Sequence, residues 1–238
     1  EMHRRWFESH LEKFNLQYKN RSDEFHGLGI AGPKSRELLQ KIVRESVSND
    51  SFKFRDSRKM FVAGVPAIVN RISFTGELGY EIYVAPHFQL KLYEELTKAG
   101  KEFNIKPFGG RALMSMRLEK NWGAWTLDYR PDFTAKETGL DAFINWDKDF
   151  IGKDYAQKDE SKNKLVPLIV ETNDIDVTYN EAVLKGDKSI GYITSGGFAH
   201  FVNKSVAFSY VDQNELKSEK GIQVEINGDF FNCSIIKE

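Results

Sequence analysis

The spacing of apolar positions changes period several times along this chain, and each change marks an element. Trp6, Phe7, Leu11 and Phe14 recur at helical spacing, whereas Phe14, Leu16 and Tyr18 alternate, so the chain is expected to open with a helix that runs into a strand. Gly32-Pro33 precedes the stripe Leu38, Leu39, Ile42 and Val43, which predicts a helix over 35–43 with the proline pre-set for its first turn. Residues 60–84 alternate around Gly64 and Pro66 and read as two antiparallel strands joined near Thr75-Gly76-Glu77. Pro86 opens a second helix with Phe88, Leu92 and Leu96 four apart and Gly100 as its stop. A third helix is expected over 111–120, after Pro107-Phe108-Gly109-Gly110. Helices and antiparallel strands mix without a regular strand-helix-strand rhythm, which argues for an α+β fold rather than a doubly wound sheet.

The pattern breaks at Lys158-Asp159-Glu160-Ser161-Lys162-Asn163-Lys164, a charged run with no apolar residue to bury. It divides an α+β region over 1–157 from a domain over 164–238. Beyond it the runs 165–170, 181–184, 189–194, 205–211, 223–226 and 230–236 are β-rich and separated by turn residues. Six short strands in about 75 residues predict a small antiparallel barrel. The chain opens on Glu1 rather than Met, and Ile235-Ile236-Lys237-Glu238 fall inside the last strand pattern, so both ends read as those of a fragment.

Composition narrows the function classes. The chain has 238 residues, 34 Lys plus Arg against 35 Asp plus Glu, and 40% hydrophobic residues, the balance of a folded protein of one or two domains. A net charge of -1 with interspersed signs offers no basic field for tracking phosphates, which argues against a nucleic-acid partner. The single Cys233 rules out an internal disulfide and a multi-cysteine metal site, and fits a reducing compartment. No stretch approaches the roughly 20 apolar residues of a membrane-spanning helix, and the opening Glu1-Met2-His3-Arg4-Arg5-Trp6 lacks the apolar core of a signal peptide. The setting expected is the cytoplasm, or the mitochondrial matrix in a eukaryote, with no membrane partner.

Several local motifs can carry chemistry. Gly27-Leu28-Gly29-Ile30-Ala31-Gly32 has the literal G-x-G-x-x-G spacing of a dinucleotide turn, with Asp50 near the ribose-binding position. The residues ahead of it, Arg21 to His26, are not a buried strand, and Pro33 removes a backbone donor that would face phosphates, so it reads as a glycine-rich strand meeting a helix. Phe74-Thr75-Gly76-Glu77-Leu78-Gly79-Tyr80-Glu81 is richer than a turn requires. Phe74 and Glu81 flank it, so an aromatic face and a carboxylate can meet a flat ligand whose edge carries paired N–H groups. The plainer alternative for Glu81 is a solvated strand-end carboxylate. Arg111 stands in the first turn of the predicted third helix, where free backbone N–H groups meet anions. Arg117 with Glu119 reads as a structural ion network, and Trp122, Trp125 and Tyr129 as packing residues of an irregular loop. His3, His10, His26, His87 and His200 show no metal-ligand spacing. Ser195 lacks a G-x-S-x-G elbow and a His–Asp relay, which argues against a serine hydrolase.

Five of these motifs stand in one order and spacing: Gly32-Pro33 opening a helix, residues 74–81, Arg117-Leu118-Glu119-Lys120, Phe150-Ile151-Gly152-Lys153, and Gly191-Tyr192-Ile193-Thr194-Ser195-Gly196-Gly197. Together they resemble the folate-binding aminomethyltransferase family of the glycine-cleavage T-protein, over nearly the whole chain. The stretch from Phe108-Gly109 to Gly123-Ala124-Trp125 is most similar to the tetrahydrofolate domain of dimethylglycine and sarcosine dehydrogenases. The resemblance implies a clover-leaf folate-binding fold ending in a small antiparallel barrel, with the amino-terminal part of the family fold absent here. It implies that Glu81 and Phe74 hold the pterin, Phe74 standing where the T-protein pattern has Tyr. The family Arg that meets the folate tail aligns with Leu113 and a pocket Trp with Ala142, so Arg111 and Phe143 are the candidate substitutes. The family Asp that assists transfer lies ahead of this chain, and no residue here is assigned a catalytic or metal-binding role.

The function so implied is tetrahydrofolate-dependent transfer of a one-carbon unit from a small methylated amine, as part of a dimethylglycine or sarcosine dehydrogenase-like enzyme. FAD enters only if an upstream flavoprotein domain exists. Two alternatives stand beside it: a non-catalytic folate-binding or structural module, and a tetrahydrofolate-dependent demethylase of a small methylated osmolyte. A folate-dependent iron–sulfur maintenance protein is disfavoured, because Lys148-Asp149-Phe150-Ile151-Gly152-Lys153 stands where that relative has a reactive Cys.

Overall fold

The computed structural model describes residues 2–172, 174–218 and 220–236 and divides into two units, one holding the residues through Ser73 with Glu77–Lys106, the other Phe74–Gly76 with Pro107 onward. In the first unit α1 (Met2–Leu11) is followed by β1 (His26–Ala31), α2 (Ser35–Ile42), β2 (Ser57–Val62), β3 (Val65–Asn70), β4 (Gly79–Val84) and α3 (Gln89–Gly100). The strands form one antiparallel sheet in the order β1-β4-β3-β2. Strand alternation sends Tyr80, Ile82 and Val84 of β4 into a core with Ile30, Leu38, Leu39, Leu92 and Leu96, while Glu81 and Tyr83 fall on the other face. Each such side chain contributes about 1.5–3 kcal/mol by leaving water, so the apolar stripes of α2 and α3 hold the sheet's inner face.

Three local expectations are corrected or refined in this unit. The run 60–84 is not two strands, because Ala63 (φ 50°) and Gly64 (φ 76°) form a two-residue left-handed turn that folds β2 onto β3, and the join near Gly76 leads to a further strand. The Ala63-Gly64 turn lacks the Asn or Asp that marks most such turns. Leu16 and Tyr18 form no strand and are exposed, since three alternating residues without a neighbouring ladder leave the backbone unpaired. Gly100 ends the α-helix as expected but is not its left-handed cap: the chain continues through a 3-10 turn, Lys101–Phe103, and turns left-handed at Asn104.

The second unit contains α4 (Gly110–Glu119), α5 (Ala135–Thr138), α6 (Lys153–Gln157) and six strands: β5 (Asn163–Val170), β6 (Ala182–Lys185), β7 (Lys188–Ala199), β8 (Lys204–Asp212), β9 (Ile222–Ile226) and β10 (Asp229–Ile235). They close an antiparallel barrel in the order β10-β5-β8-β7-β6-β9, which leaves no edge strand unpaired. All six match the strands read from the sequence. Lys237 and Glu238, the end of the last predicted strand, lie outside the described residues. β7 runs five residues further than expected, because a bulge between Ile193 and Ser195 lets it stay paired to β8 through Gly196-Gly197 to Ala199. Leu118 of α4 packs with Ala199, Val206 and Phe208 on the barrel wall. The charged run is tied down by side chains: Gln213 donates to the carbonyls of Ser161 (3.1 Å) and Asn163 (2.9 Å), and Glu137 accepts from the Asn163 amide (3.1 Å). No helix among the described residues is long and apolar enough to cross a membrane.

Two expected outcomes follow from the barrel. A methyl group at Gly191 would overlap the Tyr210 carbonyl oxygen, an approach only glycine permits. Gly191→Ala should therefore lower unfolding free energy by about 2–3 kcal/mol in denaturant titration, and a change under about 0.5 kcal/mol would refute this strand contact. Cys233 is buried in the barrel core, and burial, with the charge of Glu171 second, pushes its thiol up to about 12. A thiol reagent at pH 8 should leave the native protein unmodified and label it once after unfolding; rapid labelling of native protein would show that the barrel core is open.

Candidate functional site

In the first unit, the face of the sheet turned away from the core is assembled by alternation. The register pairs Gly27 with Tyr83 and Gly29 with Glu81, so the two glycines of the G-x-G motif stand directly beside the two polar side chains of β4. The Tyr83 ring lies over Gly27, where an added methyl would meet it at 3.0 Å, whereas a methyl on Gly29 would meet nothing within 4 Å. Glu81 is thus a half-buried carboxylate beside bare backbone. Tyr83 Oη donates to Glu81 Oε2 at 2.6 Å, which fixes the carboxylate's orientation, and among the described residues no donor meets Oε1. The same bond pushes the Tyr83 hydroxyl up to about 12, with burial second, because an ionised phenol would face the carboxylate. The G-x-G spacing is therefore explained without a nucleotide: β1 is the glycine-rich strand, and Pro33 leads into α2.

The other three candidates lie in the second unit. Phe74 is partly exposed, in the turn Phe74–Gly76 that belongs with this unit. Arg111 occupies the first turn of α4, 94% exposed and 3.5 Å from Asp176 Oδ2, an ion pair too open to hold it. It lines a cavity of about 480 Å³ with Ser115, Thr178, Gly197 and His200. Phe143 ends the 3-10 turn Asp141–Phe143, is strongly exposed, and does not line that cavity. Leu113 is half-buried on α4 and Ala142 is exposed.

The strongest polar construction in this unit was missed from the sequence. Arg117 of α4 is paired with Asp128, not with Glu119: Nη1 donates to Asp128 Oδ2 at 2.5 Å and to the Trp122 carbonyl at 3.0 Å, and both charged side chains are fully buried. Glu119 instead accepts from the backbone N–H of Phe201 at 2.9 Å. Asp128 Oδ2 also accepts from the Ala124 amide at 2.7 Å, and Oδ1 from Thr194 at 2.5 Å and Ser195 at 2.6 Å. Tyr210 Oη donates to the Asp128 carbonyl at 2.8 Å. Burial lowers the proton affinity of Arg117 and Asp128 opposes this, while the Phe208 ring lies 5.8 Å from the guanidinium carbon. Burial also raises the hydroxyl of Tyr210, beside Asp128. Ser195 is thus a buried donor that helps to hold the Asp128 carboxylate. Its signal in the sequence was the polar pair Thr194-Ser195 inside a buried strand, which demands a partner.

Comparison with known proteins accords with this architecture. Residues 1–148 match the GCVT N-terminal domain and residues 163–238 the glycine cleavage T-protein C-terminal barrel domain. The human mitochondrial dimethylglycine dehydrogenase is 37% identical over 241 residues, covering 98% of this chain and 28% of that protein. An aminomethyltransferase of Thermoanaerobacter pseudethanolicus is 32% identical over 227 residues, covering 93% of this chain and 60% of that one. The crystal structure of glycine cleavage system aminomethyltransferase T from Bartonella henselae superposes with a TM-score of 0.79 at 22% identity, over 96% of this chain and 63% of that one. The chain therefore spans less than two thirds of each of these relatives, and by sequence and fold it belongs to the glycine cleavage T-protein family.

Proposed function

We propose that this chain binds tetrahydrofolate and forms the one-carbon-transfer part of an aminomethyltransferase of the dimethylglycine dehydrogenase kind. The observation that carries the reading is Glu81: an oriented carboxylate with one oxygen held by Tyr83, the other without a donor among the described residues, and bare glycine backbone alongside. A carboxylate of this kind matches the paired N–H groups on the edge of a pterin for the geometric reason that it matches a guanidinium. Bound tetrahydrofolate would supply the ring nitrogens that take up the one-carbon unit. The chain's own part is to bind and orient. By family resemblance Phe74 offers a ring face, and Arg111 and Phe143 serve the folate tail where Leu113 and Ala142 cannot. The methylated amine substrate, a flavoprotein portion carrying FAD, the division into regions 1–157 and 164–238, and a cytoplasmic or mitochondrial-matrix setting belong to the same proposal.

A second reading, a folate-binding module without its own chemistry, draws on Leu113 and Ala142, which place an apolar group and a methyl where the family has Arg and Trp. It predicts binding without turnover, so it shares the first test. Calorimetric titration of the chain with tetrahydrofolate should give saturable binding, and Glu81→Gln should weaken it by about 2–3 kcal/mol, roughly 30- to 150-fold, because a charge-assisted pair is lost. Thermal stability should also fall, by about 1 kcal/mol, because the Tyr83 hydroxyl exchanges a charged acceptor for a neutral one. Loss of stability with unchanged affinity would reject the folate assignment of Glu81.

The Glu81–Tyr83 bond has its own readout. The raised hydroxyl means the folded state holds this proton more tightly, so the bond's contribution to stability is complete below pH 10 and is lost as pH rises towards 12. The phenolate absorbance that Tyr83→Phe removes should titrate near 12 in native protein and move towards 10 in Glu81→Gln. A midpoint of 10 in the native protein would show that the two side chains are not bonded.

A further inference from the structure

The buried pair in the second unit does more than join a helix to a barrel. Arg117 holds Trp122 by both ends of its peptide: the Arg117 carbonyl accepts from the Trp122 amide at 3.0 Å, and its side chain donates to the Trp122 carbonyl at 3.0 Å. Trp122 in turn forms the surface on which the Phe74–Gly76 turn rests. A methyl added to Gly76 would meet Lys120 Cγ at 2.5 Å and Trp122 Nε1 at 3.0 Å, and Thr75 is almost fully buried. Gly76 has a φ of 75°, so the turn is both left-handed and pressed against these side chains. Arg117 is fixed by Asp128, and Asp128 by Thr194 and Ser195 of β7 and Tyr210 of β8.

From this chain of contacts we infer that Asp128 and Arg117 are positioning residues, which transmit the placement of the barrel strands to the Phe74 ring and so set its alignment for a bound pterin. The inference rests on the folate reading for its functional consequence, but the mechanical link does not. Arg117, Asp128, Thr194, Ser195 and Tyr210 are buried, which fixes the Trp122 backbone, whereas the side chains of Lys120 and Trp122 are exposed and meet the turn at Gly76 by packing. Loss of the Asp128 charge would leave Arg117 buried without its counter-ion, and the guanidinium would no longer be held against Trp122. The turn that carries Phe74 would then lose its floor.

The test is a double-mutant cycle with an exchange measurement beside it. Asp128→Asn should weaken tetrahydrofolate binding about tenfold in the otherwise native chain, and less than about twofold when Phe74→Ala has already removed the ring. Amide hydrogen exchange at residues 74–77 should speed up in Asp128→Asn without any ligand. Thr194→Val, which deletes one donor to Asp128, should shift both readings in the same direction by less, and carries the test if Asp128→Asn does not fold. An equal affinity loss with and without the Phe74 ring would overturn the inference, as would a lower melting temperature with unchanged exchange at 74–77. If the native chain binds no tetrahydrofolate, the folate reading fails and the exchange measurement alone decides the link.

Discussion

The second unit depends on one carboxylate kept out of water. Asp128 would be expensive to bury alone, and it is buried because five groups converge on it: a guanidinium, a backbone amide, two hydroxyls of one strand and, at its carbonyl, a tyrosine of the next strand. Removing one partner of such a pair leaves an uncompensated buried charge, typically about 3–5 kcal/mol, a large share of any domain's stability. The network therefore works as a constraint: α4, the loop after it and β7 have one mutual arrangement in which all donors and acceptors match. Arg117 Nε and Nη2 lack hydrogen-bond partners among the described residues, which makes its bonds to Asp128 and Trp122 harder to replace.

The first unit is organised by a different economy. Its sheet uses β-branched and aromatic residues on the core face, and on the other face places Gly27 and Gly29 opposite Tyr83 and Glu81. Tyr83 and Glu81 sit two apart on one strand and share a face because the strand period is two. The open backbone beside Glu81 follows from what is absent, since any side chain at Gly29 would stand next to the carboxylate.

Much of this was legible before any coordinates. The six barrel strands, α2 and α4 follow from periods of two and 3.6 together with Gly and Pro at their ends, and the five motifs in register point to the T-protein family. The misreadings are of two kinds: one concerns residues whose state depends on a partner distant in sequence, and the others concern local turns. Phe14, Leu16 and Tyr18 alternate but have no strand to pair with. The Ala63-Gly64 turn lacks a side-chain signature, and Gly100 stays helical while Asn104 takes the left-handed position.

The candidate site divides in the same way. Local pattern and family spacing were enough to single out Glu81, Phe74, Arg111 and Phe143, because the type of a side chain and its place in a motif are properties of the chain itself. Which groups touch them was not legible. Tyr83 bonding Glu81, and Gly29 leaving room beside it, require knowing that β1 lies against β4 in one register. Asp128 and Thr194 are 66 positions apart, and nothing in either neighbourhood announces the other. Sequence by itself determined the elements, the family and the chemical character of the candidates; the pairing of buried charge with its donors was decided only by tertiary structure, because that match is made across space by groups that are individually unstable away from water.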